Sequence, residues 1–160
     1  MNIFTKALFW IWRTVRLPDS LRWMVVANTN QQFLVGVTAV ILNEHNEVLL
    51  FEHTYRSPYA WGLPSGWLEK GEDPAQGIER EVYEESHLAV RISAVLSVSA
   101  AHSVPRIDLV YLGSPAGGSF QPSNEVSAAQ FFAQNALPPL MANQRGLIQL
   151  AIEQGGKAQP

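Results

Sequence analysis

Apolar residues run almost without a break from 33 to 42, β-branched at Val35, Val37, Thr38, Val40 and Ile41, then resume at 48–51 and continue towards His53. The polar residues 43–46 between them are turn material, so the pattern predicts two strands joined as a hairpin. The following Trp61-Gly62-Leu63-Pro64-Ser65-Gly66 reads as a strand end interrupted by Pro and Gly. Pro74 suits the first position of a helix with Asp73 as its N-cap, and Ala75, Ile78 and Val82 then form one seam of a helix from 74 to about 86. Residues 90–101, 106–112 and 125–132 read as three further strands, and 142–153 as a closing helix. Strands, a helix, strands again and a last helix predict a mixed α/β sandwich rather than a regular β-α alternation.

The front of the chain differs from the rest. Residues 3–17 suit a short helix, with Pro18-Asp19 stopping it and capping a second turn at 20–24. Residues 1–22 hold four bases (Lys6, Arg13, Arg16, Arg22) and one acid (Asp19), together with Trp10 and Trp12. Such a segment can lie peripherally in a membrane interface; packing on its own domain, or on a second subunit of a homodimer, is the favoured expectation. The expected organisation is an N-terminal amphipathic segment at 1–24, one domain at 25–154 and a fraying tail at 155–160.

Composition narrows the classes. The chain has 160 residues, 47% hydrophobic and 16% charged, one domain's worth of globular protein. A formal charge of −3 carries no basic excess for non-specific nucleic-acid binding. The absence of cysteine removes disulfides, zinc-thiolate sites and a Cys nucleophile. The apolar run at 7–12 is far short of the ~20 residues of a membrane span and lacks the features of a signal peptide, so the expected compartment is the cytoplasm. The charge is unevenly spread, however: residues 69–85 hold seven acids and two bases.

Four of those acids, Glu79, Glu81, Glu84 and Glu85, sit on the helix beginning at Pro74, where like charges at helical spacing repel. Glu81, Glu84 and Glu85 fall on one stripe beside the apolar seam. Three converging carboxylates offer hard oxygen ligands suited to Mg²⁺ or Mn²⁺, and a solvated acidic face is the alternative.

The whole segment from Gly66 to Leu88 resembles the Nudix box, G-x5-E-x7-R-E-U-x-E-E-x-G-U with U aliphatic, matching eight of its nine defined positions. The resemblance implies an α/β/α sandwich around a mixed β-sheet and metal-assisted hydrolysis of a nucleoside diphosphate linked to another group. It implies Glu81, Glu84 and Glu85 as ligands of Mg²⁺ or Mn²⁺, joined by the backbone carbonyl of Gly66. Glu72 and Arg80 would have a structural role, a carboxylate and a guanidinium fixing the loop against the helix. The departure is His87, where the family carries glycine at a left-handed helix cap.

Outside the box, Glu125, with Phe131 six positions later, is similar to the family's downstream acid, and either Glu81 or Glu125 would serve as general base. Tyr55-Arg56 resembles a pair preceding the box in ADP-ribose hydrolases, which makes Arg56 a phosphate ligand by its guanidinium fork. Arg106 and Asp108 are further candidates for substrate contact, and Trp61 or Phe120 for stacking on a base. ADP-ribose or a nucleotide sugar is the leading substrate. The rivals are a nucleoside triphosphate pyrophosphohydrolase of the pool-sanitising type and a non-catalytic Nudix-like nucleotide-binding module. A Ser-His-Asp mechanism is a poor third, since there is no G-x-S-x-G elbow and His45, His53 and His102 have no evident nucleophile partner.

Overall fold

A computed structural model describes residues 18–155, and the chain divides into two compact units at 33/34. The helix expected at 3–17 lies outside the described residues, as does most of the tail. In the first unit the short turn expected at 20–24 is a longer helix, α1 (Asp19–Thr29). Side chains near its end bond back to carbonyls one turn earlier: Asn28 Nδ2 donates to Met24 O at 2.7 Å and Thr29 Oγ1 to Val25 O at 2.8 Å. No residue of α1 is buried, and Trp23 is 72% exposed. No helix among the described residues is long and apolar enough to cross a membrane.

The second unit holds β1 (Leu34–Ile41), β2 (Val48–His53), β3 (Trp61–Gly62), β4 (Ser65–Trp67), α2 (Pro74–Ser86), β5 (Leu88–Ala100), β6 (Arg106–Gly118), β7 (Val126–Phe132), a short 3₁₀ turn at Gln134–Ala136, and α3 (Ala142–Gly155). One sheet has the order β4-β1-β6-β5, with β1 and β6 parallel and the other pairs antiparallel. The second is antiparallel, in the order β3-β2-β7. This is the mixed α/β architecture expected.

The hairpin is corrected. Asn43 and Glu47 close the expected turn, Asn43 N donating to Glu47 O at 3.0 Å, but β1 and β2 share only the bridge Leu42–Val48 and then separate into different sheets. Both edges of β1 are taken by β4 and β6, which leaves β2 to pair with β3 and β7. The unbroken apolar runs follow from burial on both faces. Val37, Ala39, Ile41, Leu49 and Phe51 enter one core with Ile78 and Val82 of α2, while Val40, Leu42, Val48 and Leu50 enter another with Ile148 and Ala151 of α3. Each fully buried aliphatic side chain contributes about 1.5–3 kcal/mol. Strand β6 runs past the expected end at 112 to Gly118, its Gly and Pro residues still pairing with the start of β5.

Candidate active site

α2 begins as its sequence requires. Asp73 Oδ1 accepts from Ala75 N at 3.0 Å and Gln76 N at 3.3 Å, and Pro74 occupies the first turn, where a missing N–H costs nothing. Ser86 ends it by donating to Val82 O at 2.6 Å and accepting from Leu88 N at 3.2 Å. His87 takes the left-handed conformation, φ 59°, that the family fills with glycine, and its N–H still bonds Tyr83 O at 2.7 Å. The helix end is therefore kept at the steric cost of a Cβ.

Arg80 answers the repulsion among the glutamates. Its Nε donates to Glu72 Oε1 at 2.8 Å and its Nη2 to Glu72 Oε2 at 3.2 Å, while Nη1 lies 3.2 Å from Glu81 and 3.0 Å from Glu84. A fourth partner, Trp67 O at 3.3 Å from Nη2, ties the same guanidinium to β4. The hydrogen bond from Arg80 holds the Glu72 carboxyl below its ordinary range, and the pairing raises the guanidinium in turn. Glu79 turns away from this group, accepting from Ile92 N at 2.8 Å.

Glu81 also accepts from Trp67 N at 3.2 Å, and a side chain at Gly66 would overlap its carboxyl group. Gly66 is thus the residue that lets β4 approach α2 this closely. Glu85 Oε2 is buried with no hydrogen-bond partner. Burial, then the negative charges of Glu125 and Glu81, push the Glu85 carboxyl up to about 7.

Among the described residues, no three His, Asp or Glu side chains already close on a single point that would hold an ion. Glu81 and Glu84 are turned onto Arg80 instead. The donor set still fits a hard divalent cation: an orphaned buried carboxylate oxygen, two further carboxylates, and a glycine backbone with no Cβ in the way.

Gly66, Glu81, Glu84, Glu85, Glu125, Arg56 and Arg106 all line one cleft of about 810 Å³. Glu125 stands one residue ahead of β7, its carbonyl accepting from Thr54 N at 2.9 Å. Arg56 lies across Gly62, where a Cβ would stand 2.5 Å from its Nη1, and its Nη2 donates to Ser65 Oγ at 3.4 Å. Gln144, at the start of α3, is the neighbouring wall; its Oε1 accepts from Leu63 N at 3.2 Å. Arg106 Nε lies 3.0 Å from Asp108. Trp61 and Phe120 belong to the core, Trp61 edge-on to Phe132 at 5.0 Å between ring centroids. The aromatic side chains in the cleft are Trp67 and Tyr55. Sequence reasoning passed over Trp67 and Gln144 because their place depends on strand pairing and helix docking, which spacing does not encode.

The NUDIX domain model matches residues 32–151. Nudix hydrolase 8 of Arabidopsis thaliana is 35% identical over 94 residues, 57% of this chain and 25% of that protein. The human 8-oxo-dGDP phosphatase NUDT18 is 35% identical over 124 residues, 73% of this chain and 38% of that protein, so the chain spans well under half of either relative. The crystal structure of an ADP-ribose pyrophosphatase from Streptococcus suis superposes with a TM-score of 0.70 at 26% identity, covering 80% of this chain and 96% of the other. The box at 66–88, the helix that carries it and the family model agree, and the chain belongs to the Nudix family.

Proposed function

We propose that the protein is a Mg²⁺- or Mn²⁺-dependent hydrolase of a nucleoside diphosphate linked to another moiety, of the ADP-ribose or nucleotide-sugar type. The observation that carries this reading is the buried, unpartnered oxygen of Glu85, a residue that lines one cleft together with Glu81, Glu84 and Glu125. An uncompensated buried carboxylate is costly unless something of opposite charge meets it. Glu81, Glu84 and Glu85 would hold the cation, with the carbonyl of Gly66. When bound, a divalent ion neutralises diphosphate oxygens and makes a water acidic enough to attack phosphorus.

The remaining work falls to the protein's own groups. Arg56, set against Ser65 and with no carboxylate within ion-pair distance among the described residues, offers its fork to a phosphate. The Glu81 carboxylate is already engaged by Arg80 and by Trp67 N–H. The Glu125 carboxylate carries no such partner among the described residues and lines the same cleft, so it is free to accept the proton of the attacking water. Water adds to phosphorus, a bridging P–O bond breaks, and a nucleoside monophosphate and the phosphorylated second moiety leave.

Incubation of ADP-ribose, sugar nucleotides and deoxynucleoside triphosphates with the protein and Mg²⁺, with the products separated by chromatography, tests the reading. A nucleoside monophosphate and a phosphorylated second moiety are expected from the diphosphate-linked compounds in preference to cleavage of the triphosphates, and their formation should fall steeply in Glu84→Gln and Glu85→Gln. Preferential cleavage of triphosphates would move the protein to the pool-sanitising class, and binding without turnover to a nucleotide-binding module.

A further inference from the structure

The floor of the cleft is a sheet face, and strand register sets one row of residues across it. Trp67 of β4 pairs with Gly36 of β1, Gly36 with Asp108 of β6, and Asp108 with Ser99 of β5. Paired residues project to the same face of a sheet, and all four line the cleft. Arg106 stands two residues before Asp108, on that face, and meets it through Nε.

The centre of the row has no side chain. A Cβ on Gly36 would stand 2.8 Å from Asp108 Oδ1 and 3.8 Å from Trp67 Cζ3. The carboxylate and the rim of the indole therefore approach one spot from opposite sides, and a side chain there would displace the carboxylate. Trp67 is 51% exposed and belongs to neither core, so its ring is open to a planar ligand. The next row, about 7 Å along the strands, runs through Ser65, Thr38 and Val110, where Ser65 meets Arg56. A ring over Gly36 is thus one sugar's length from the cation expected to hold phosphate.

We propose that this row is the nucleobase seat and that it selects guanine, stacked on Trp67, with N1–H and the N2 amine donating to Asp108 and O6 facing Arg106. The assignment rests on the reading of the cleft as a nucleoside diphosphate site. An ionised carboxylate only accepts hydrogen bonds. Guanine presents two adjacent donors on its Watson–Crick edge, with an acceptor beside them. Adenine and cytosine each place a ring acceptor next to their amine, and uracil flanks one N–H with two carbonyls, so each sets a lone pair against Asp108. A site built to receive two donors discriminates strongly against a ligand that lacks one.

GDP-glucose, ADP-glucose and UDP-glucose, which share one sugar, separate the bases in Mg²⁺ with the full chain. The expected kcat/KM for GDP-glucose exceeds the other two by about tenfold or more. Asp108→Asn, which exchanges an acceptor for a donor at nearly constant shape, should erase that preference and raise KM for GDP-glucose more than it lowers kcat. Gly36→Ala should act in the same direction by displacing the carboxylate, and Trp67→Leu should weaken all three substrates together. Equal or better use of ADP-glucose or UDP-glucose, or a preference that survives Asp108→Asn, overturns the base seat. Calorimetric binding of GDP, ADP and UDP separates the two claims. Equal affinities overturn the guanine assignment even where hydrolysis is robust. Tight, selective GDP binding without turnover supports the seat and overturns the catalytic reading alone.

Discussion

The cleft has two ends made by opposite means. At the α2 end, Gly66, Glu72, Arg80, Glu81, Glu84 and Glu85 lie within twenty residues, and a loop and one helix bring them together. The floor is assembled from positions 36, 67, 99 and 108, carried by four different strands. The first end is dense in charge and neutralised from within by Arg80, which touches three of its carboxylates. The second is mostly uncharged, with one ion pair beside an indole. Chemistry set by helical spacing can be conserved as a motif, whereas recognition set by register can change one residue at a time without disturbing it.

Substitution at each end should therefore separate turnover from selectivity. Glu85→Gln is expected to cost about a hundredfold to a thousandfold in kcat, equally for every nucleotide, with a melting temperature no lower than wild type because a buried, unpartnered charge is removed. Stopped assays with two different bases check this, and unequal losses would join the two ends functionally. Arg80→Met comes next: it leaves Glu72, Glu81 and Glu84 without their shared cation, so both melting temperature and turnover fall. Added Mg²⁺ should then recover part of the lost melting temperature, since an ion that binds only the folded state stabilises it.

The end set by spacing was legible in advance, and the floor was not. The cap at Asp73, the first-turn Pro74 and the seam of Ile78 and Val82 all depend on neighbours within a few positions, and the structure has them as read. The hairpin failed for the same reason in reverse. An apolar run, a turn and a second run do not say that both edges of the first strand are reserved for β4 and β6. Trp61 was a candidate for stacking and Trp67 was not, because only pairing decides which indole packs on Phe132 and which lies over Gly36.

A smaller effect concerns the buried end of β2. His53, 2% exposed, has neither ring nitrogen hydrogen-bonded. Burial, then the charge of Arg56, lowers its pKa from 6.5 to about 4. The unfolded chain takes up this proton at higher pH than the folded one. Its contribution to stability is therefore complete above about 6.5 and is lost as the pH falls towards about 4. Urea midpoints measured across that range should slope downward for wild type and flatten in His53→Leu. The smallest expected change is His87→Gly, which relieves a left-handed Cβ and should raise the melting temperature by about 2–4 °C, with turnover unchanged because His87 lies outside the cleft lining.

The division of β1 and β2 between two sheets also sets the order in which the molecule can form. β1 finds its parallel partner only at residues 106–113, and β2 its longer antiparallel partner only at 126–132, with a single bridge between the two neighbours in the meantime. Long sequence separations between contacting strands slow folding, because loop closure must precede any gain from contact. On the ribosome neither sheet can close until most of the chain has emerged, and α2 waits with its acidic face exposed and its apolar seam uncovered. Arg80, Glu72 and Glu84 are near enough in sequence to pair before then, so the charge cluster can be quieted while its floor is still being made.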